Sequence, residues 1–231
     1  MCSWLQSLLR SPPPWRFSVT FPSPRGRRAG NATPPFFRDL LIHPTRPARM
    51  PGPPPGTYCH AAQGHEHHGP YHDTEYGFPL RGDDLLFERL VLEINQAGLS
   101  WLTILKKREG FRRAYDGFSL ELVAAYGEAD RKRLLGDPGI IRNRSKVDAA
   151  IENANRILRI RDDAGSFAAW LDAHHPRDKS DWVRLFKKTF RFTGGEITGE
   201  FLISTGYLPG AHHPDCPVYH RVAAVRPPWM S

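Results

Sequence analysis

Three groups of residues in this chain have types and spacings that could do chemistry. The first centres on Glu93, which falls on one helical line with Leu86, Leu90 and Ala97. A carboxylate on an apolar face is costly to bury unless it is paired or hydrogen-bonded. Glu93 therefore either bonds a backbone N–H or an arginine, or faces a pocket walled by Trp101 and the tyrosines upstream. Spacing alone leaves both readings open. The second group is Cys59-His60, His65, His67, His68 and His72 near one end, and His212-His213, Cys216 and His220 near the other. Four mixed sulfur and nitrogen ligands, two from each end, would make a closed tetrahedral zinc site. Such a site would tie the start of the domain to its end. His212 and Cys216 are a workable pair in a loop that contains Pro214, but spacing does not say which upstream histidine joins Cys59. A flexible histidine-rich surface loop is the bland alternative. No HExxH stands in the chain to supply the base of a zinc hydrolase.

The third group lies in RLLGDPGIIRNRSKVDAAI, two helical patterns joined by a glycine turn with basic residues just after it. This matches a helix–hairpin–helix, whose hairpin amides (here Ile140 and Ile141) and following helix N-terminus contact a DNA phosphate. Arg142, Arg144 and Lys146 would add attraction independent of sequence. An ordinary turn between packed helices fits this segment equally well.

The elements that must position these groups read as helices. Asp83 or Asp84 can cap the Glu93 helix, and Gly98 marks its stop. Ser100 caps a second helix with the stripe Trp101, Ile104, Leu105, Phe111 and Tyr115. SLELVAAYG follows, capped by Ser119 and stopped by Gly127, then EADRKRLLG and a tight Asp137-Pro138-Gly139 turn. SKVDAAIENANRILRIRDDAG is a long helix; FAAWLDAHH, WVRLFKKTFRF and GEITGEFLISTGYL complete the set. There is no alternating strand series, no repeat and no phosphate-loop glycine fingerprint. The expected class is all-α.

Charge is unevenly distributed. Residues 1–56 hold eight arginines, no lysine and one acid, Asp39, so they carry +7 of the chain's net +8. They also hold 13 of the 22 prolines. Such a segment cannot bury enough apolar surface to offset its chain entropy, so disorder is expected there. It reads as an organellar transit peptide or, the favoured reading, as an extension upstream of a mis-assigned start, with Met50 just before the folded sequence. Residues 57–231 form the expected domain. Nothing resembles a membrane span, and the three cysteines suit a reducing compartment better than a disulfide framework.

Taken together, YHDTEYGFP, LEINQAGLSWLTILKKRE, DPGIIRNRSKV and the terminal HxxxC resemble the 3-methyladenine DNA glycosylase I (Tag-type) family, in the helix–hairpin–helix superfamily. The resemblance runs from about Tyr58 to Val218. It implies an all-α helix–hairpin–helix glycosylase bundle with one structural zinc joining the two ends, held by Cys59, His72, His212 and Cys216. It further implies excision of the cationic, N3-methylated adenine from double-stranded alkylated DNA, without a lyase step. By position, Glu93 is the carboxylate that reads the flipped base, Trp101 stacks on it, and Tyr71 and Tyr76 are pocket aromatics. An extruded base must be held by stacking and edge hydrogen bonds, and a cationic one gains from aromatic faces and a nearby negative charge. The implied protein is a monomer in the cytoplasm or bacterial nucleoid, or in an organelle if the tail is a transit peptide. A zinc-stabilised DNA-binding module without catalysis is the alternative. This chain departs from the family's pattern at Tyr76, where Trp is usual, at His68, where Tyr is common, and at Cys59-His60-Ala61, where Cys-Gly-Trp is usual. KKTFRFTG is also one residue shorter than usual. These changes bear on which lesions the pocket accepts.

Overall fold

The computed structural model describes residues 52–231, and these are helical throughout, with no strand among them. The arginine- and proline-rich tail therefore lies outside the described residues, apart from its last five positions. The helices are α1 (Tyr58–Ala62), α2 (His68–Thr74), α3 (Asp83–Gln96), α4 (Trp101–Ala114), α5 (Leu120–Ala124) and α6 (Glu128–Gly136). They continue as α7 (Arg144–Ala164), α8 (Phe167–His174), α9 (Lys179–Thr189), α10 (Gly195–Ser204) and α11 (Pro217–Ala224). The all-α expectation holds, and among the described residues no helix is long and apolar enough to cross a membrane.

α3 is the axis of the domain. α4, α5, α7, α8 and α10 all pack on it, and every residue from Leu86 to Asn95 is buried. The expected single apolar line is therefore only part of its buried surface, because a central helix has no solvent face. Its start also differs from expectation. The N-cap is Gly82, which makes no side-chain bond, and Asp83 and Asp84 serve other helices. Asp83 Oδ1 accepts from the Phe167 amide that opens α8 (2.9 Å), and Asp84 Oδ1 from the Leu120 amide that opens α5 (3.1 Å). Each carboxylate thus satisfies an orphan N–H at a neighbouring helix start and ties that helix to the axis.

The turn after α3 follows its sequence. Gly98 takes φ +80, a conformation that favours glycine, and Ser100 caps α4 by accepting from the Thr103 amide (3.2 Å). Ser119 caps α5, which ends at Ala124, before Gly127. Asn143 caps α7, the longest helix. The hairpin between α6 and α7 is held against α4. A Cβ on Gly110 would stand 2.4 Å from the Gly139 carbonyl oxygen, so only glycine lets the two backbones meet there. Lys107 Nζ adds a bond to the Pro138 carbonyl (2.6 Å). The segments around the two ends of the domain, α1–α2 and α11, are short and meet around Cys59 and Cys216 with Val218 and Val222.

Candidate active site and metal centre

A cavity of about 290 Å3 opens beside the C-terminal half of α3. It is lined by Tyr58, Tyr71, Tyr76, Glu93, Gln96, Trp101 and Glu200. All four residues expected on the pocket (Glu93, Trp101, Tyr71 and Tyr76) therefore come together. Their elements explain why. The α3–α4 turn brings Trp101 beside Glu93, and α2 brings Tyr71 against both. The Tyr71 and Trp101 ring centroids are 5.1 Å apart, and Tyr71 and Tyr76 are 5.6 Å apart. Tyr58 stands edge-on to Tyr76 at 5.4 Å. The indole Nε1 of Trp101 is buried without a hydrogen-bond partner.

Three lining residues were not expected from sequence. Tyr58 precedes a metal-ligand cysteine and reads as part of that loop. Gln96 ends α3, where polar side chains usually meet water. Glu200 follows Glu196 by one turn and reads as the solvent face of α10.

Glu93 is 4% exposed and, among the described residues, accepts no hydrogen bond. Burial pushes its carboxyl up to about 8, with the Arg89 guanidinium pulling the other way and Glu200 adding to the rise. Arg89 does not pair with it. Its Nη1 donates to Tyr71 Oη (2.8 Å), its Nη2 to Glu75 (3.1 Å), and its guanidinium lies over the Tyr71 ring at 4.8 Å. Tyr71 is thus locked from behind, while the carboxylate in front of it stays unpaired. Glu200, half-buried, receives the Tyr76 hydroxyl on Oε2 (3.3 Å). Burial holds its carboxyl above the usual carboxylate range, against that hydrogen bond and the Lys179 ammonium.

Next to this cavity, Cys59, His72, His212 and Cys216 converge, all buried, with their ligand atoms within 4.8 Å of one another. His72 is therefore the upstream histidine that joins Cys59. Cys59 Sγ to His212 Nδ1 is 3.8 Å, His212 Nδ1 to His72 Nε2 is 3.1 Å, and Cys216 Sγ to His72 Nε2 is 3.7 Å. A tetrahedron with metal–ligand bonds of about 2.0 to 2.3 Å has edges of about 3.3 to 3.8 Å, so the cluster has the size of a metal centre. The protons point the same way. His72 Nδ1 lies 2.7 Å from Asp73 Oδ1, and His212 Nε2 lies 2.7 Å from the Tyr76 carbonyl. Both partners only accept, so each ring carries its proton there and turns a bare nitrogen toward the other ring. Two lone pairs facing each other at 3.1 Å call for a cation between them.

At the hairpin, the expected DNA-contacting residues divide. Arg142 is exposed, and the Ile141 and Arg142 amides have no partner among the described residues. Arg144 is exposed and weakly paired with Glu128 at 3.4 Å. Ile140 is 3% exposed and packs its side chain into the core. Lys146 is placed differently from its basic neighbours. It is buried, and its Nζ donates to the carbonyls of Asn95 (2.9 Å) and Ala97 (2.7 Å) at the end of α3. Two of its three N–H donors thus satisfy orphan carbonyls at the negative end of the helix dipole, which gives it a structural role inside the domain.

Residues 61–183 match the family model described as methyladenine glycosylase. DNA-3-methyladenine glycosylase 1 of Escherichia coli (strain K12) is 35% identical over 157 residues, covering 60% of this chain and 84% of that protein. The DNA-3-methyladenine glycosylase of Haemophilus influenzae is 31% identical, covering 64% and 89%. Among solved structures, 3-methyladenine DNA glycosylase I from Staphylococcus aureus superposes with a TM-score of 0.63 at 33% identity, covering 70% of this chain and 95% of that one. That structure concerns recognition of 3-methyladenine.

Proposed function

The chain belongs to the methyladenine glycosylase family, and we propose that its aromatic cavity holds 3-methyladenine flipped from alkylated DNA while the N-glycosidic bond is hydrolysed. It is a DNA-3-methyladenine glycosylase, an enzyme of base-excision repair. The observation that carries the reading of the site is a buried, unpaired carboxylate at the end of a box of aromatic rings. Neutral bases do not compensate a buried negative charge, whereas a cationic purine with an exocyclic amino group does. Trp101 and the tyrosines offer ring faces that favour a cation. Entry of the cation draws the Glu93 proton off, so affinity for the charged base rises with pH up to about 8. The charged base is already a good leaving group, so positioning supplies much of the acceleration. Among the described residues no lysine lines the cavity, and the proposed reaction is hydrolysis without a lyase step.

In the same reading, the metal is a structural zinc held by Cys59, His72, His212 and Cys216. When bound, it would clamp the two ends of the domain as a fully ligated ion with no open position. The hairpin amides of Ile141 and Arg142 and the N-terminus of α7 take a DNA phosphate, with Arg142 and Arg144 beside them. The enzyme works as a monomer on double-stranded DNA.

The folded, metal-loaded protein should release free 3-methyladenine from methylated duplex DNA, measured by chromatography of the released bases. Absence of release would overturn the reading. Retained DNA affinity with no release would favour a zinc-stabilised DNA-binding module instead. Elemental analysis should return one zinc per chain. His212→Ala should remove it and lower the melting temperature by about 10 °C or more, since ligand binding to the native state is folding free energy.

A further inference from the structure

We propose that Glu200 is a second functional carboxylate of the pocket, taking the proton of the water that attacks C1′ of the flipped nucleotide. The inference rests on the glycosylase reading above and adds a residue to it. A flipped base enters a pocket while its sugar stays tethered to the duplex, so C1′ must lie toward the open side. That side can be identified. Glu93, Gln96 and Glu200 line both the base cavity and an adjoining surface groove of about 550 Å3, whose other walls are the Ala97–Gly98–Leu99 turn and the start of α10. Both carboxylates border cavity and groove, but Glu93 is 4% exposed, whereas Glu200 is only half-buried and is the more open of the two to the groove. The carboxylate nearer the sugar is therefore Glu200.

Its hydrogen bonding suits the task. Tyr76 Oη donates to Oε2 at 3.3 Å, and Oε1 has no partner among the described residues. One oxygen is thus anchored and the other is free for a water. Tyr76 is itself held through its carbonyl by His212 Nε2 (2.7 Å), so the carboxylate hangs from the same framework as the metal cluster. The groups facing Glu200 are Tyr58 on α1, Tyr76 from the α2–α3 connection, Glu93 on α3, Lys179 on α9 and Glu196 on its own helix. Lys179 Nζ lies 3.6 Å from Glu196, so it is not committed to Glu200.

The step balances without a further reactant. The C1′–N9 bond breaks with its electron pair going to N9, and the cationic base departs neutral. The sugar is left as an oxocarbenium ion, and the Glu200 negative charge at the mouth offsets that developing charge. The water oxygen bonds C1′ and gives one proton to Glu200, which passes it to solvent. One water is consumed, and an abasic sugar, a neutral base and one proton are formed.

The test compares wild-type protein with Glu200→Gln and Glu200→Asp, using single-turnover base release from methylated duplex DNA at saturating enzyme. The bound cation then already keeps Glu93 ionised, so a rising limb in the pH–rate profile belongs to Glu200. Glu200→Gln should lower the rate about 100-fold and abolish that limb. Binding of free 3-methyladenine, read by intrinsic fluorescence, should stay within about twofold. Glu200→Asp should restore part of the rate together with the limb. Release by Glu200→Gln within about threefold of wild type, with the limb intact, would overturn the proposal alone. So would loss of free-base binding as large as the loss of rate, because Glu200 would then read the base rather than act on the water. No release by wild type would overturn the glycosylase reading and this proposal with it.

Discussion

Glu88 and Glu93 sit on the same helix, five residues apart, and are about equally buried at 5% and 4% exposed. Their surroundings are opposite. Glu88 Oε1 receives Arg108 Nε at 2.7 Å and Arg112 Nε at 3.0 Å, and Arg108 reaches on to Glu75, which also binds Arg89. In that network Glu75 is held below the usual carboxylate range; burial pushes it up, but the hydrogen bond and charge of Arg108, with Arg89 and Arg112, outweigh it. Glu93 has no cation bonded to it, and burial takes it to about 8. Burial of a carboxylate is thus uninformative by itself. What separates a structural acid from one awaiting a ligand is whether its lone pairs are already occupied.

Exchanging each acid for its amide sharpens this contrast. Glu93→Gln should lower base release about 100-fold or more, because a charge-assisted contact to a cation is lost, while metal content stays unchanged. Glu88→Gln should do the reverse. It should cost on the order of 2 kcal/mol of unfolding free energy in denaturant titrations, because it leaves Arg108 short of a partner; the more exposed Arg112 adds little. Base release by the folded protein should remain within about twofold. Equal loss of activity in both variants would break the comparison.

The pH dependence of stability is a further discriminator. The folded pKa of Glu93 lies above its unfolded value, so the native state holds a proton that the unfolded chain gives up between about pH 4.5 and 8. That contribution is fully present below the unfolded value and is lost as pH rises through the folded one. Glu93→Gln should therefore be more stable than wild type at pH 8, with the two converging toward pH 4.5, as thermal melts across that range would show. The smallest effects separate two cations in the same way. Lys146→Met should cost about 1 to 3 kcal/mol and leave the salt dependence of DNA binding unchanged. Arg142→Ala should leave stability alone and reduce the salt slope by about 1.

The same distinction explains what could be read from the chain. Ser100 and Ser119 act through bonds to amides three residues on, so local sequence suffices to place α4 and α5. The mixed cysteine and histidine set is equally visible, because few other uses require those types together. Asp83, Asp84 and Lys146 have partners 36 to 84 residues away, and no local pattern names those partners. α1, α2 and α11 are too short and too rich in histidine or proline to show a helical period. Glu200 and Tyr58 reach the cavity only because α10 packs on α3 and the two ends of the domain meet.

In the DNA complex proposed above, the hairpin's fastenings set how mechanical work is divided. Lys146 bolts the start of α7 to the end of α3, and the backbone contact of Gly110 with Gly139 seats the turn against α4. The part proposed to grip the phosphate and the lip of the base cavity are consequently fastened into one jaw. When such a jaw closes on a duplex, the compliance lies in the nucleic acid: its backbone bends and the nucleotide swings out. A lesion that weakens stacking or pairing lowers the stiffness of its own step, so in the proposed complex such a jaw would meet damage as softness before any base enters the cavity.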